Sequence, residues 1–122
     1  MWVGAPQHEA WRRDPLPIAT YEAGSLVRRF ALAALASQRR EYRVVYNSAS
    51  LAGQLAAVES GLAVAVLTRC CLSSGLQQLP DRHGLPALPA LEVAAVRSRA
   101  SVGSSAVDAL HEEVLRTLRR PA

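Results

Sequence analysis

The chain has no lysine: all fourteen of its basic residues are arginine. The arginines are scattered in pairs, Arg12-Arg13, Arg28-Arg29, Arg39-Arg40 and Arg119-Arg120, and only six aromatic residues accompany them (Trp2, Trp11, Tyr21, Phe30, Tyr42, Tyr46). A nucleic-acid module gathers its charge on one face with interleaved aromatics. The net charge of +4 is therefore read as solvated faces and helix ends. Long apolar runs are also missing. Arg, Ser and Gly interrupt every candidate, so no membrane span is expected. The first residues, "MWVGAPQHEAW", lack a basic region followed by an apolar one, and a secretory signal is not expected. Cysteine is scarce: Cys70 and Cys71 are adjacent and suit neither a metal spacing nor an easy mutual disulfide. They read as buried thiols in a reducing cytoplasm, with a redox-sensing pair as the alternative. GxSxG, GxGxxG and GxxxxGK[ST] are all absent. His8, His83 and His111 show no ligand spacing, and Glu22, Glu59 and Asp108 fall on separate elements. Neither an enzyme nor a metal or cofactor is expected.

What is present is alternation. The length of 122 residues suits one domain. A short strand is expected at Trp2–Ala5, and "QHEAWRRDP" reads as a polar connector. Leu16–Tyr21 is an apolar strand. Ser25 suits an N-cap, and Leu26, Phe30, Ala33 and Ala34 mark a helical face reaching Ser37. Tyr42–Tyr46 is a β-rich run. Ser48 or Ser50 caps a second helix with Leu51, Leu55, Val58 and Leu62 at helical spacing, and Gly61 stands where a left-handed residue ends a helix. Ala63–Leu67, "AVAVL", is apolar on both faces, as in a parallel sheet covered on both sides. Residues 68–90 read mostly as loop, with a short strand at Leu76–Leu79. A further strand is expected at Leu91–Val96, then a linker, then a final amphipathic helix through Ala106, Val107, Leu110, Val114 and Leu118. From Leu16 on, the order β-α-β-α-β-(β)-β-α specifies an α/β three-layer sandwich with a mainly parallel sheet.

Such sheets put ligands at the carboxyl ends of their strands, where helix N-termini offer free N–H groups and partial positive charge. Three corners share that edge: residues 20–25 (TYEAGS), 47–50 (NSAS) and 68–69 (TR). Each serine taken alone can be a plain helix cap.

The stretch "RVVYNSASLAGQLAAVESGLAVAVLTR" resembles the effector-binding domain of LysR-type transcriptional regulators, whose pattern is a strand, a Ser/Thr-rich corner and a helix reading like "SLxxxxxAVxAGLGVAVLP". Gln54, Ala57, Val58, Gly61, Leu62, Val64 and Leu67 fall in step. Ala63 stands where the family has glycine, and Thr68 where it commonly has proline. "WVGAPQHEAWRRDPLPIATYEAGSLVRRFALAAL" resembles the exit from the first subdomain, the hinge and the opening of the second. "LPALEVAAVRSRA" resembles the return strand. The resemblance implies one lobe of a type 2 periplasmic-binding-protein-like domain, with the hinge and second subdomain over about 16–97 and a C-terminal helix over about 104–120. The DNA-binding domain lies outside this chain.

It implies a cytoplasmic, ligand-sensing regulatory segment that binds a small anionic effector through Thr20, Asn47, Ser48, Ser50 and Thr68. It also implies a homo-oligomer, with a dimer that exchanges terminal elements as one form and the helix from Ser25 to Ser37 as a second interface. DNA would be reached only through the N-terminal domain of a full-length protein. Two alternatives stay open: a solute-binding protein fragment serving a transporter, and an oligomerisation module without a ligand.

Overall fold

The computed structural model describes residues 1–80 and 83–118, so Arg119-Arg120 lie outside the described residues. The chain divides into two compact units, Met1–Pro89 and Ala90–Ala122.

The first unit holds a five-stranded sheet. Its strands are β1 (Trp2–Gly4), β2 (Leu16–Thr20), β3 (Tyr42–Asn47), β4 (Val64–Val66) and β5 (Gln77–Gln78), and its helices are α1 (Leu26–Ser37) and α2 (Leu51–Glu59). The strand order is β3-β2-β4-β1-β5. β2 pairs in parallel with β3 on one side and β4 on the other. β1 runs antiparallel to both β4 and β5. Four strands thus point one way and β1 points against them.

Alternation along the strands sends side chains to two cores. Leu16, Ile18, Val64 and Trp2 face Ala31 and Leu35 of α1. Ala19, Ala63, Ala65, Leu67 and Val3 face Ala57 and Val58 of α2. This is the three-layer arrangement: period-two strands buried on both faces need a helix on each. Leu16, Ile18, Leu35, Val3, Val58 and Val64 are fully buried, and each contributes about 1.5–3 kcal/mol by leaving water.

Neither helix buries the whole apolar face expected of it. α1 buries Ala31, Ala34 and Leu35, while Leu26 is exposed. α2 buries Gln54, Ala57 and Val58, while Leu51 and Leu62 are exposed. Gly61 has φ +72°, in the left-handed region expected of it, and ends the α2 turn.

Residues 7–15 are more than a connector. A turn of 3-10 helix at Ala10–Arg12 puts Trp11 into the α1-side core, 3% exposed, and Trp11 stands against His83 with ring centroids 5.0 Å apart.

In the second unit, α3 (Ser105–Leu118) follows a 3-10 turn at Arg99–Ser101. Arg97 reaches Asp108 in its first turn at 2.6 Å. The expected strand over residues 91–96 does not form. The segment takes no regular secondary structure, and Leu91, Val93 and Val96 are exposed. Apolar composition favours a strand only when a sheet edge is there to accept its hydrogen bonds.

Candidate functional site at the carboxyl edge of the sheet

β2 and β3 end side by side, with Thr20 registered opposite Asn47. β4 ends on the same edge, because Ala19 pairs with Ala65 in parallel. All three corners singled out in the sequence therefore meet one edge.

The middle corner is built most completely. The Ser48 N–H donates to the Thr20 carbonyl at 3.2 Å, extending the β2–β3 ladder one step past the strand. The Ser48 hydroxyl accepts from the Ser50 N–H at 3.1 Å, and the Ser50 hydroxyl accepts from the Gly53 N–H at 3.3 Å. Ser50 is thus the N-cap of α2, while Ser48 shapes the turn before it. Among the described residues, the Leu51 and Ala52 N–H groups at the start of α2 have no acceptor. They are the orphan donors that every helix start leaves, and they carry the positive end of the helix dipole.

Gln54 holds this corner from below. It is fully buried, and its side-chain amide donates to the carbonyls of Thr20 at 2.7 Å and Ser48 at 2.8 Å. Its own Oε1 is buried without a donor. The Asn47 carboxamide faces the carbonyls of Tyr21 at 3.0 Å and Thr20 at 3.2 Å, which sets its nitrogen on that side.

The first corner adds a cation. Ser25 caps α1 by accepting from the Arg28 N–H at 3.4 Å, and the Arg28 guanidinium donates to the Tyr21 carbonyl at 3.0 Å. That anchors a permanent positive charge beside Asn47. Burial, and then the neighbouring Cys71, push the Tyr21 phenol above its ordinary pKa, so Tyr21 remains a neutral hydrogen-bonding group at physiological pH.

The third corner joins through that contact. Thr68 precedes a 3-10 turn, Arg69–Cys71, and its hydroxyl lies 3.3 Å from Cys70 Sγ and 3.2 Å from Cys71 Sγ. The thiols are not both buried as expected. Cys70 is exposed and Cys71 half-buried, and both are free.

Of the five expected residues, Thr20 is buried and offers mainly its backbone, 5% exposed. Ser48 and Thr68 are half-buried, and Asn47 and Ser50 are exposed. The structure adds Arg28 and Tyr21 at the rim and Gln54 beneath. Gln54 left a readable signal, being a polar residue one turn past a cap and three before Ala57, on the inward face of the helix. Arg28 left a weaker one, since it sits in the first turn of a helix opening on this edge. Two shallow concavities lie at the opposite edge. One is lined by Pro15 and residues 39–43. The other is lined by Arg13, Asp14, Pro15, Pro17, Arg43, Val45 and Leu62. Neither includes a residue of the carboxyl edge. Among the described residues, no three His, Cys, Asp or Glu side chains gather to hold a metal ion, and no helix is long and apolar enough to cross a membrane.

The α/β unit thus presents a hydroxyl-rich, helix-capped corner at the carboxyl edge of its sheet. The chain matches the model of the LysR substrate binding domain over residues 1–119, and it belongs to that family. It is similar to the HTH-type transcriptional regulator DgdR of Burkholderia cepacia, with 40% identity over 93 residues, 76% of this chain. Those residues span 32% of the length of that relative.

Proposed function

We propose that this chain is a ligand-sensing segment of a LysR-type regulator, and that its carboxyl edge forms one wall of the site for a small anionic effector. The observation that carries the reading is the corner between β3 and α2. Two free helix N–H groups and the Ser48 and Ser50 hydroxyls gather there, and the Arg28 guanidinium stands 3.5 Å from the carboxamide of Asn47, one residue before Ser48. This donor set suits a carboxylate, because a helix N-terminus and a fixed guanidinium both favour negative charge. In this reading Ser48, Ser50, Asn47 and Thr68 contact the effector. Thr20 supplies the carbonyl that fixes the floor. The lobe over about 16–97 acts as one wall and the helix over about 104–120 as a returning tail. No catalytic step is assigned. DNA contact belongs to an N-terminal domain of the kind that the name of DgdR describes.

The test is a thermal-shift screen of small organic acids, run on this chain and on a regulator carrying the segment with its opposite lobe. Ligand at a hundred times its Kd adds about 2.7 kcal/mol of stability. A shift abolished by Ser48→Ala and by Arg28→Gln is expected. An effector response left intact by Ser48→Ala would refute the assignment. The chain also self-associates in this reading. Leu110, Val114 and Leu118 recur at four-residue spacing on α3 and are exposed, and a second copy would cover them. Light scattering that gave a monomer at high concentration would exclude this.

A further inference from the structure

We propose that Cys70 and Cys71 form a vicinal-dithiol site for a trivalent arsenical. The two sulfurs stand 4.0 Å apart, on one side of the turn, each within hydrogen-bond distance of the Thr68 hydroxyl. Cys70 is exposed and Cys71 half-buried, and neither is committed to a disulfide.

The spacing discriminates between two fates of the pair. A disulfide needs sulfurs about 2.05 Å apart, on residues whose Cα atoms are usually at least about 4.4 Å apart. Neighbouring residues joined by a trans peptide have Cα atoms only about 3.8 Å apart, and these sulfurs would have to close by roughly 2 Å. One bridging atom asks for far less. With bonds of about 2.3 Å, the length of a thiolate bond to a soft metal, a single atom holds two sulfurs about 3.5–4 Å apart. The ring it closes is also one atom larger than the disulfide ring. Two thiols satisfy a trivalent arsenic that keeps one other substituent, whereas zinc would require four ligands.

The reaction balances without an oxidant. With phenylarsine oxide, both S–H bonds break and two As–S bonds form. The arsenic-bound oxygen leaves as one water carrying both thiol protons, and arsenic stays trivalent. The second As–S bond is intramolecular, so the adduct gains from effective concentration. The site adjoins Thr68 and Tyr21, but it stands whether or not those residues bind an effector.

The experiment is intact-mass spectrometry of the reduced chain with phenylarsine oxide, followed by challenge with 2-mercaptoethanol or 2,3-dimercaptopropanol. One phenylarsenic per chain, less two hydrogens, is expected. The dithiol should release it. The monothiol should need roughly a hundredfold higher concentration to release it from the native chain than from Cys70→Ser or Cys71→Ser. Absence of the adduct overturns the proposal. So does equal resistance in either serine variant, or a stoichiometry of one arsenic to two chains.

Discussion

Gly53→Ala measures how tightly the corner between β3 and α2 is assembled. Gly53 lies in the first turn of α2, where alanine would ordinarily stabilise the helix by about 1 kcal/mol. Here a methyl group would overlap the Tyr46 hydroxyl oxygen and come within 3.1 Å of Cζ and 3.3 Å of Cε1. Tyr46 is the next-to-last residue of β3 and packs on the α2-side core, so its ring cannot swing away without loosening that core. Overpacking of this kind costs about 1–3 kcal/mol. Net of the helix gain, Gly53→Ala is expected to destabilise by about 0–2 kcal/mol. In a Tyr46→Phe background the overlapping atom is gone and the same change should be neutral or stabilising. The coupling energy of the cycle should therefore equal the overpacking cost, about 1–3 kcal/mol. Urea unfolding followed by tryptophan fluorescence is the assay. Trp2 and Trp11 both lie in the sheet's core, so the signal reports this unit, and the midpoint should move without a change in m. A coupling below about 0.5 kcal/mol, the level of independent sites, would refute the claim that Tyr46 and α2 are packed in direct contact.

Ser50→Ala removes the α2 cap and should cost about 1 kcal/mol. Urea melts read this, and Ser48→Ala should cost less because its hydroxyl serves only the turn. Gly61→Ala must place a side chain at φ +72°, within 2.5 Å of His8 Cβ and 2.7 Å of Cδ2. The left-handed backbone alone costs about 1–2 kcal/mol. His8→Gly should relieve the rest, and a loss unchanged in that background would show that the overlap is not felt. Leu35→Ala empties a fully buried position and should cost about 2–5 kcal/mol, read as a lowered Tm.

The sequence by itself determined the elements of the first unit and where they point. Apolar strand runs, Ser25 as a cap, Ser48 or Ser50 as the next and Gly61 as a left-handed stop are local properties, and the structure places the second cap on Ser50. Local chemistry also brought Thr20, Asn47, Ser48, Ser50 and Thr68 to one edge, since parallel strands followed by helices leave their corners no other place. Tertiary structure alone decided the rest. It left Leu26 and Leu51 of the expected helix faces in solvent, because burial depends on what stands opposite. It drew Trp11 out of a polar stretch into the core. It left residues 91–96 without a ladder, because a strand exists only where a partner edge accepts it. It also made Gln54 the brace of the corner between β3 and α2. That role required two carbonyls, at Thr20 and Ser48, to converge on one buried amide, and convergence between distant residues is not written in the spacing of either.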